Sequence, residues 1–97
     1  MEFEWDANKA EINLKKHKVS FTEAVSSFSD PDGFVLKSEK HSNIEERFYW
    51  IGKCESGRIL TTRFTRRGEK IRIIGSAEWR EFRTLYNEKT KLKKSKN

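Results

Sequence analysis

Cysteine is nearly absent. The only one is Cys54, so no internal disulfide can form. It has no metal-ligand neighbour in sequence, which argues against a zinc site. Proline is as scarce. The single one stands in Asp30-Pro31-Asp32-Gly33, a run that stops a helix. No apolar run approaches the length of a signal peptide or a membrane span, so the expectation is a cytosolic protein without a membrane partner. Acidic residues are outnumbered, 15 against 21 basic, for a net charge of +6. That excess favours an anionic partner such as nucleic acid, an acidic protein or an anionic membrane surface. A merely soluble basic surface is the plain alternative.

What remains is a chain of 97 residues, enough for one domain with a modest core. Only 34% of residues are hydrophobic, so seven Phe and three Trp must supply much of the buried area. There is no internal repeat.

Residues 45–76 organise the chain. Glu45-Glu46-Arg47-Phe48-Tyr49-Trp50-Ile51-Gly52, Arg58-Ile59-Leu60-Thr61-Thr62-Arg63-Phe64-Thr65 and Lys70-Ile71-Arg72-Ile73-Ile74-Gly75 are rich in β-branched and aromatic residues. Ser56-Gly57 and Arg67-Gly68 separate them, which predicts three consecutive antiparallel strands. Strand side chains alternate between faces. The register that pools Phe48, Trp50, Leu60, Phe64, Ile71 and Ile73 on one face puts Arg47, Tyr49, Arg63 and Arg72 on the other. A slip of one residue would bury the arginines, so the apolar pattern determines the register.

Before this run, Phe3-Glu4-Trp5 alternates as a short edge strand. Asp6 is placed to cap a helix over 7–17, with Ala7, Ala10, Leu14 and His17 on one stripe. Ser20-Phe21-Thr22-Glu23 fits a capping box opening a second short helix to about Phe28. Phe34-Val35-Leu36 reads as a strand, and 37–44 as a polar loop. Ser76 is a suitable cap for a last helix carrying Trp79, Phe82, Leu85 and Tyr86. The domain then spans 1–90, and the basic segment 91–97 is expected to fray. The layout is α+β: a small antiparallel sheet with the helices on one face and the arginines on the open face.

An open sheet face carrying Arg47, Arg63 and Arg72 suits a phosphate backbone. Arginine grips phosphate oxygens with a planar fork of fixed charge. Tyr49 beside them can stack on an unpaired base. If RNA is gripped there, its own 2′-hydroxyl is the nucleophile. The protein then has to remove a proton, stabilise the developing charge and protonate the leaving oxygen. None of these steps requires a metal. Proton carriers to consider are His17, Glu46, Tyr49 and His41. Bland readings stand beside each: strand arginines paired with Glu45 or Glu46, His17 satisfied at a helix end, and the Trp79, Phe82, Tyr86 stripe as core. The residues alone support a basic domain that binds an anion.

Several motifs occur together in order. Phe3-Glu4-Trp5-Asp6 and Lys9 precede Asn13, Lys16-His17, Val19, Phe21, Glu23-Ala24, Phe28 and Asp30-Pro31. Glu45-Glu46-Arg47-Phe48, Ile51-Gly52, Gly57-Arg58, Thr65, Arg67-Gly68 and Ile71-Arg72-Ile73-Ile74 follow. From Phe3 to Tyr86 the chain resembles the BrnT family of bacterial type II toxins. The resemblance implies a RelE-like fold, RNA cleavage that arrests growth, and neutralisation by an antitoxin with a ribbon-helix-helix part. It implies contact with operator DNA only through the antitoxin complex. Arg47 and Arg72 stand where the family carries arginine. The sequence departs at Lys18, where glycine is usual, and at Phe64 and Arg66, where many members have His or Tyr and then Glu. It also departs in Ser76-Ala77-Glu78-Trp79-Arg80.

The expectation is therefore a ribonuclease that works without metal or cofactor. Arg47, Arg63 and Arg72 act on the phosphate, and Lys16, His17, Tyr49, Arg67 and Arg80 contact RNA. The competing class is a non-catalytic basic module that binds RNA or an acidic protein.

Overall fold

A computed structural model describes residues 1–38 and 46–95 of the chain. Strand β1 (Glu2–Trp5) leads into helix α1 (Ala7–His17). Helix α2 (Phe21–Ser26) tightens into a 3₁₀ turn, Ser27–Ser29. Strands β2 (Phe34–Ser38), β3 (Arg47–Lys53), β4 (Ile59–Arg67) and β5 (Lys70–Ala77) follow, then helix α3 (Arg80–Ser95). The sheet order is β1-β5-β4-β3-β2. The three expected strands are β3 to β5, and both turn glycines take positive φ, 93° at Gly57 and 61° at Gly68. Glycine adopts that conformation without a Cβ clash. Among the described residues no helix is long and apolar enough to cross a membrane.

The edge strand β1 runs parallel to β5, pairing Phe3 with Ile71 and Glu4 with Arg72. It reaches no further than Ile73, and Asn13 takes over the exposed edge of β5. Its amide donates to the carbonyls of Ser76 and Val19, each at 2.9 Å, and its oxygen accepts from the Ser76 N–H at 3.0 Å. Asn13 thus satisfies backbone groups that would otherwise be unpaired. It is buried, whereas Ala7 and Leu14 of the expected stripe are exposed. Helix α1 lies along the sheet edge, and a narrow polar pin replaces a wide apolar contact there.

Asp6 caps α1 by accepting from Asn8 and Lys9. Ser20 caps α2 through the Glu23 N–H, as its motif implies. The Glu23 carboxylate does not turn back to complete the box. It binds Arg58, Ser56 and Cys54 instead.

On the apolar face Phe64, Ile71 and Ile73 are buried together with Phe21 of α2, and Leu60 packs in a second cluster with Val19, Ala24 and Cys54. Phe28 reaches Trp50 at 5.1 Å and Phe64 at 5.5 Å between ring centroids. Phe48 and Trp50 are only half-buried: the 3₁₀ turn covers one side of Trp50, and both rings border a groove on this face. The Trp50 indole N–H donates to the Ser27 carbonyl at 2.9 Å. Its ring occupies the space that a Cβ at Gly33 or Gly52 would need, at 2.1 Å and 2.6 Å.

Helices do not all lie on that face, and this corrects the expected layout. Helix α3 crosses the face that carries the arginines. Phe34, Tyr49, Ile51 and Ala77 belong to this side by alternation, and they give the Trp79, Phe82, Tyr86 stripe a surface to bury against. Ile51 is fully buried, and Tyr49 meets Phe82 at 5.6 Å. Tyr86 donates to Asp30, and Lys89 sits over the Phe34 ring at 4.4 Å. Ser76 is not the cap of α3. It is held within β5 by Asn13 and by Thr62 at 2.9 Å, and the helix starts at Arg80. The segment expected to fray is helical to Ser95. Lysine and leucine are good helix formers, and Lys93 approaches Asp32 at 3.7 Å.

Candidate nucleic-acid interface

The contacts of α3 fall on one end of the second face. The other end keeps a row that runs straight across four strands. Arg47 of β3 pairs with Thr65 of β4, Thr65 with Arg72 of β5, and Arg72 with Glu4 of β1. Neighbouring strands lie about 5 Å apart, so the two guanidinium groups can converge above Thr65. Thr65 is buried, and its hydroxyl donates to the Glu46 carbonyl at 2.7 Å, which fixes the floor of the row.

The two arginines differ in their partners. Arg72 Nη1 donates to Glu4 at 2.7 Å, each side chain about a quarter exposed (26% and 29%). The Nε of Arg47 is buried and has no hydrogen-bond partner among the described residues. A buried N–H without an acceptor costs about 1–3 kcal/mol, so such groups call for an explanation. The next row toward the β4–β5 turn holds Arg67 paired with Lys70, and Lys70 lies 4.0 Å from Glu2.

Arg63 shares this face, opposite Gly75 and Tyr49. Its side chain does not lean toward Arg47 and Arg72. It crosses β5 over Gly75, where an added Cβ would stand 2.9 Å from Nη2 and 3.5 Å from Asn13 Oδ1. There it joins Lys16 and His17 of α1 in one groove. Tyr49 and Arg80 line a shallow depression at the start of α3, with Trp79 set edge-on to Tyr49 at 6.2 Å.

The remaining sequence candidates fall elsewhere. Glu46 reaches Lys37 at 3.6 Å and alternates away from the arginine row. His41 and Glu45 lie outside the described residues. Phe64 and Arg66 point to the apolar face, so these two departures from the family pattern do not touch the row. Lys18 closes α1 in the left-handed conformation, φ 60°, which explains why glycine suits that position. Glu4 was not read as a site residue. Alternation alone puts it opposite Phe3 and Trp5, but only the parallel pairing of β1 with β5 sets it against Arg72.

Titration is perturbed away from the row. Hydrogen bonding from Ser56, with Arg58 and Cys54 adding to it against the effect of burial, holds Glu23 below the usual carboxylate range. Burial pushes Asp30 up, but hydrogen bonds from Tyr86, Lys53 and Asp32 outweigh it and leave the group lowered. Burial and the Asp30 contact raise Tyr86. Among the described residues no three His, Cys, Asp or Glu side chains gather closely enough to hold a metal ion.

An open cationic row on a small α+β sheet is the geometry expected of the resemblance. Residues 5–81 match the family described as the ribonuclease toxin, BrnT, of type II toxin–antitoxin systems. The chain belongs to this family. Membership gives an RNA substrate and an antitoxin partner. The structure is similar to the crystal structure of the Brucella abortus ribonuclease toxin, BrnT, with a TM-score of 0.64. The match covers 81% of this chain and 96% of that one at 22% identity, a likeness that speaks for the fold. A search among curated proteins finds no match.

Proposed function

We propose that this toxin cleaves RNA at the Arg47–Thr65–Arg72 row without a metal: the substrate's 2′-hydroxyl attacks the adjacent phosphate, the P–O5′ bond breaks, and a 2′,3′-cyclic phosphate and a 5′-hydroxyl protonated from water result. The observation that carries this reading is the Nε of Arg47, buried and without a partner among the described residues, on a sheet face that α3 leaves open. A phosphate oxygen is an acceptor of the right kind for it once the guanidinium turns outward, since the Nε is closed to solvent as it stands. Arg72 offers the second fork, and the pair stabilises the charge that grows on the phosphorane. Glu4, already against Arg72, is the carboxylate placed to take the 2′-hydroxyl proton. Arg67 and Lys70 extend the cationic surface along the strand. Tyr49 and Trp79 offer aromatic surface to a base, with Arg80 at the rim.

A cytoplasmic antitoxin with a ribbon-helix-helix part would hold the toxin inactive by covering this row, and operator DNA would be met only through that complex. The Arg72–Glu4 pair favours one competing reading, an ordinary exposed ion pair on a basic binding module. Digestion of total RNA with purified protein and EDTA separates the two. Products with 2′,3′-cyclic phosphate ends, lost in Glu4→Gln, are expected. RNA bound and left intact would favour the binding module.

A further inference from the structure

The groove between α1 and the sheet has a volume of about 300 Å³ and is lined by Lys9, Lys16, His17 and Arg63, with Asn13 and Ile74 beneath them. No carboxylate lines it. Among the described residues Lys9, Lys16 and Arg63 take part in no ion pair, whereas Lys15 on the same helix is paired with Glu11 at 3.2 Å. Like charges gathered without a counter-charge repel one another, unless an anion sits between them.

The groove is built rather than incidental. Asn13 fixes α1 to β5 through its three hydrogen bonds. The register between β4 and β5 shifts at Arg63/Phe64, so Ile74 is an extra residue on β5. That bulge brings Gly75 opposite Arg63, and the missing side chain opens the path by which Arg63 reaches α1. The groove adjoins the row, because Arg63 and Thr65 are successive residues on one face of β4.

We propose that this groove binds the phosphate next to the scissile one, so that the toxin holds two consecutive phosphates of a single strand. The assignment rests on the ribonuclease reading of the Arg47–Arg72 row. Arg63 then belongs with Lys16 and His17 as a substrate-binding residue, and Gly75 is the positioning residue that lets it get there.

The test measures kcat and KM on a short single-stranded RNA for Lys16→Ala, Arg63→Ala and Gly75→Ala beside Arg47→Ala. It adds the salt dependence of binding to the same strand with 2′-deoxy sugars. The groove variants should raise KM about tenfold, the size of one charge-assisted phosphate contact, with kcat nearly unchanged. Lys16→Ala and Arg63→Ala should each flatten the slope of log K against log salt by about 0.7. Gly75→Ala removes no charge, so a raised KM there reads the position of Arg63 alone. A fall in kcat for Arg63→Ala at unchanged KM would return Arg63 to the scissile phosphate and overturn the proposal. So would KM and salt slopes unchanged in all three variants. If the wild-type protein cleaves nothing, the ribonuclease reading fails, and the salt slopes still decide whether the groove holds a phosphate.

Discussion

Arg58 and Arg47 sit at opposite ends of the β3–β4 ladder, and their surroundings are opposite too. Arg58 is saturated. Its Nη1 meets Glu78 at 2.9 Å, while Nη2 binds Glu23 and the Lys18 carbonyl. One guanidinium thereby ties together the end of α1, helix α2 and the link from β5 to α3. Arg47 keeps a buried Nε that nothing among the described residues accepts. Residue type is the same; alternation puts Arg47 on the open face, but the partners of Arg58 come from segments far apart in sequence and are visible only in the fold. The guanidinium at one end holds parts of the fold together, and the one at the other end keeps a donor without a partner among the described residues.

Substitutions should divide the same way. The largest effect is expected on cleavage. Arg47→Ala and Arg72→Ala should each lower the rate by about a hundred- to a thousand-fold, or about 3–4 kcal/mol, as for other preorganised donors to a developing anion. Melting temperature should stay near that of the wild type in Arg47→Ala, which deletes a donor unpaired among the described residues, whereas Arg72→Ala also breaks the Glu4 pair and should cost about 1 kcal/mol. Unfolding in step with lost activity would break the comparison.

Arg58→Ala should do the reverse. Removing it leaves Glu23 and Glu78 without their shared partner, at an expected cost of about 1–3 kcal/mol after allowance for partial exposure. Cleavage per folded molecule should not change. Denaturation midpoints and rates on one preparation check both halves.

Acid sharpens the contrast further. Glu23 and Asp30 are lowered in the folded state from ordinary values of 4.5 and 3.8. A lowered carboxylate contributes stability that is present above its unfolded value and is lost as pH falls through the folded one. Urea midpoints measured from about pH 6 to about pH 3 should therefore drop at the acid end. Glu23→Gln should flatten that drop. The smallest effect is a gain: Lys18→Gly should stabilise by up to about 1 kcal/mol, since glycine suits the left-handed end of α1.

The core face was legible because Phe48, Trp50, Leu60, Phe64, Ile71 and Ile73 keep one alternating phase in each strand, broken only by Thr62. The same alternation placed Arg47 and Arg72 together before any coordinates. What it could not show was the covering of half that face by α3, since the apolar residues there come singly from separate strands: Phe34, Ile51 and Ala77. The path of Arg63 over Gly75 depends on a bulge at Ile74, and a bulge leaves no mark in a local pattern. The set of Glu4 against Arg72 depends on strand direction, and partners 68 residues apart give no clue to it. Helix α1 reads as amphipathic through Leu14, yet a single buried asparagine anchors it.

The side-chain Nε–H signals of arginine report the central contrast directly. Labelled protein is titrated with a single strand carrying 2′-deoxy sugars, which has no nucleophile and stays whole. The Arg47 Nε–H signal, assigned by its loss in Arg47→Ala, should move as a phosphate oxygen takes up the buried donor. The Arg58 signal should stay in place. An Arg47 signal unmoved at saturation, with the strand bound elsewhere, would contradict the account.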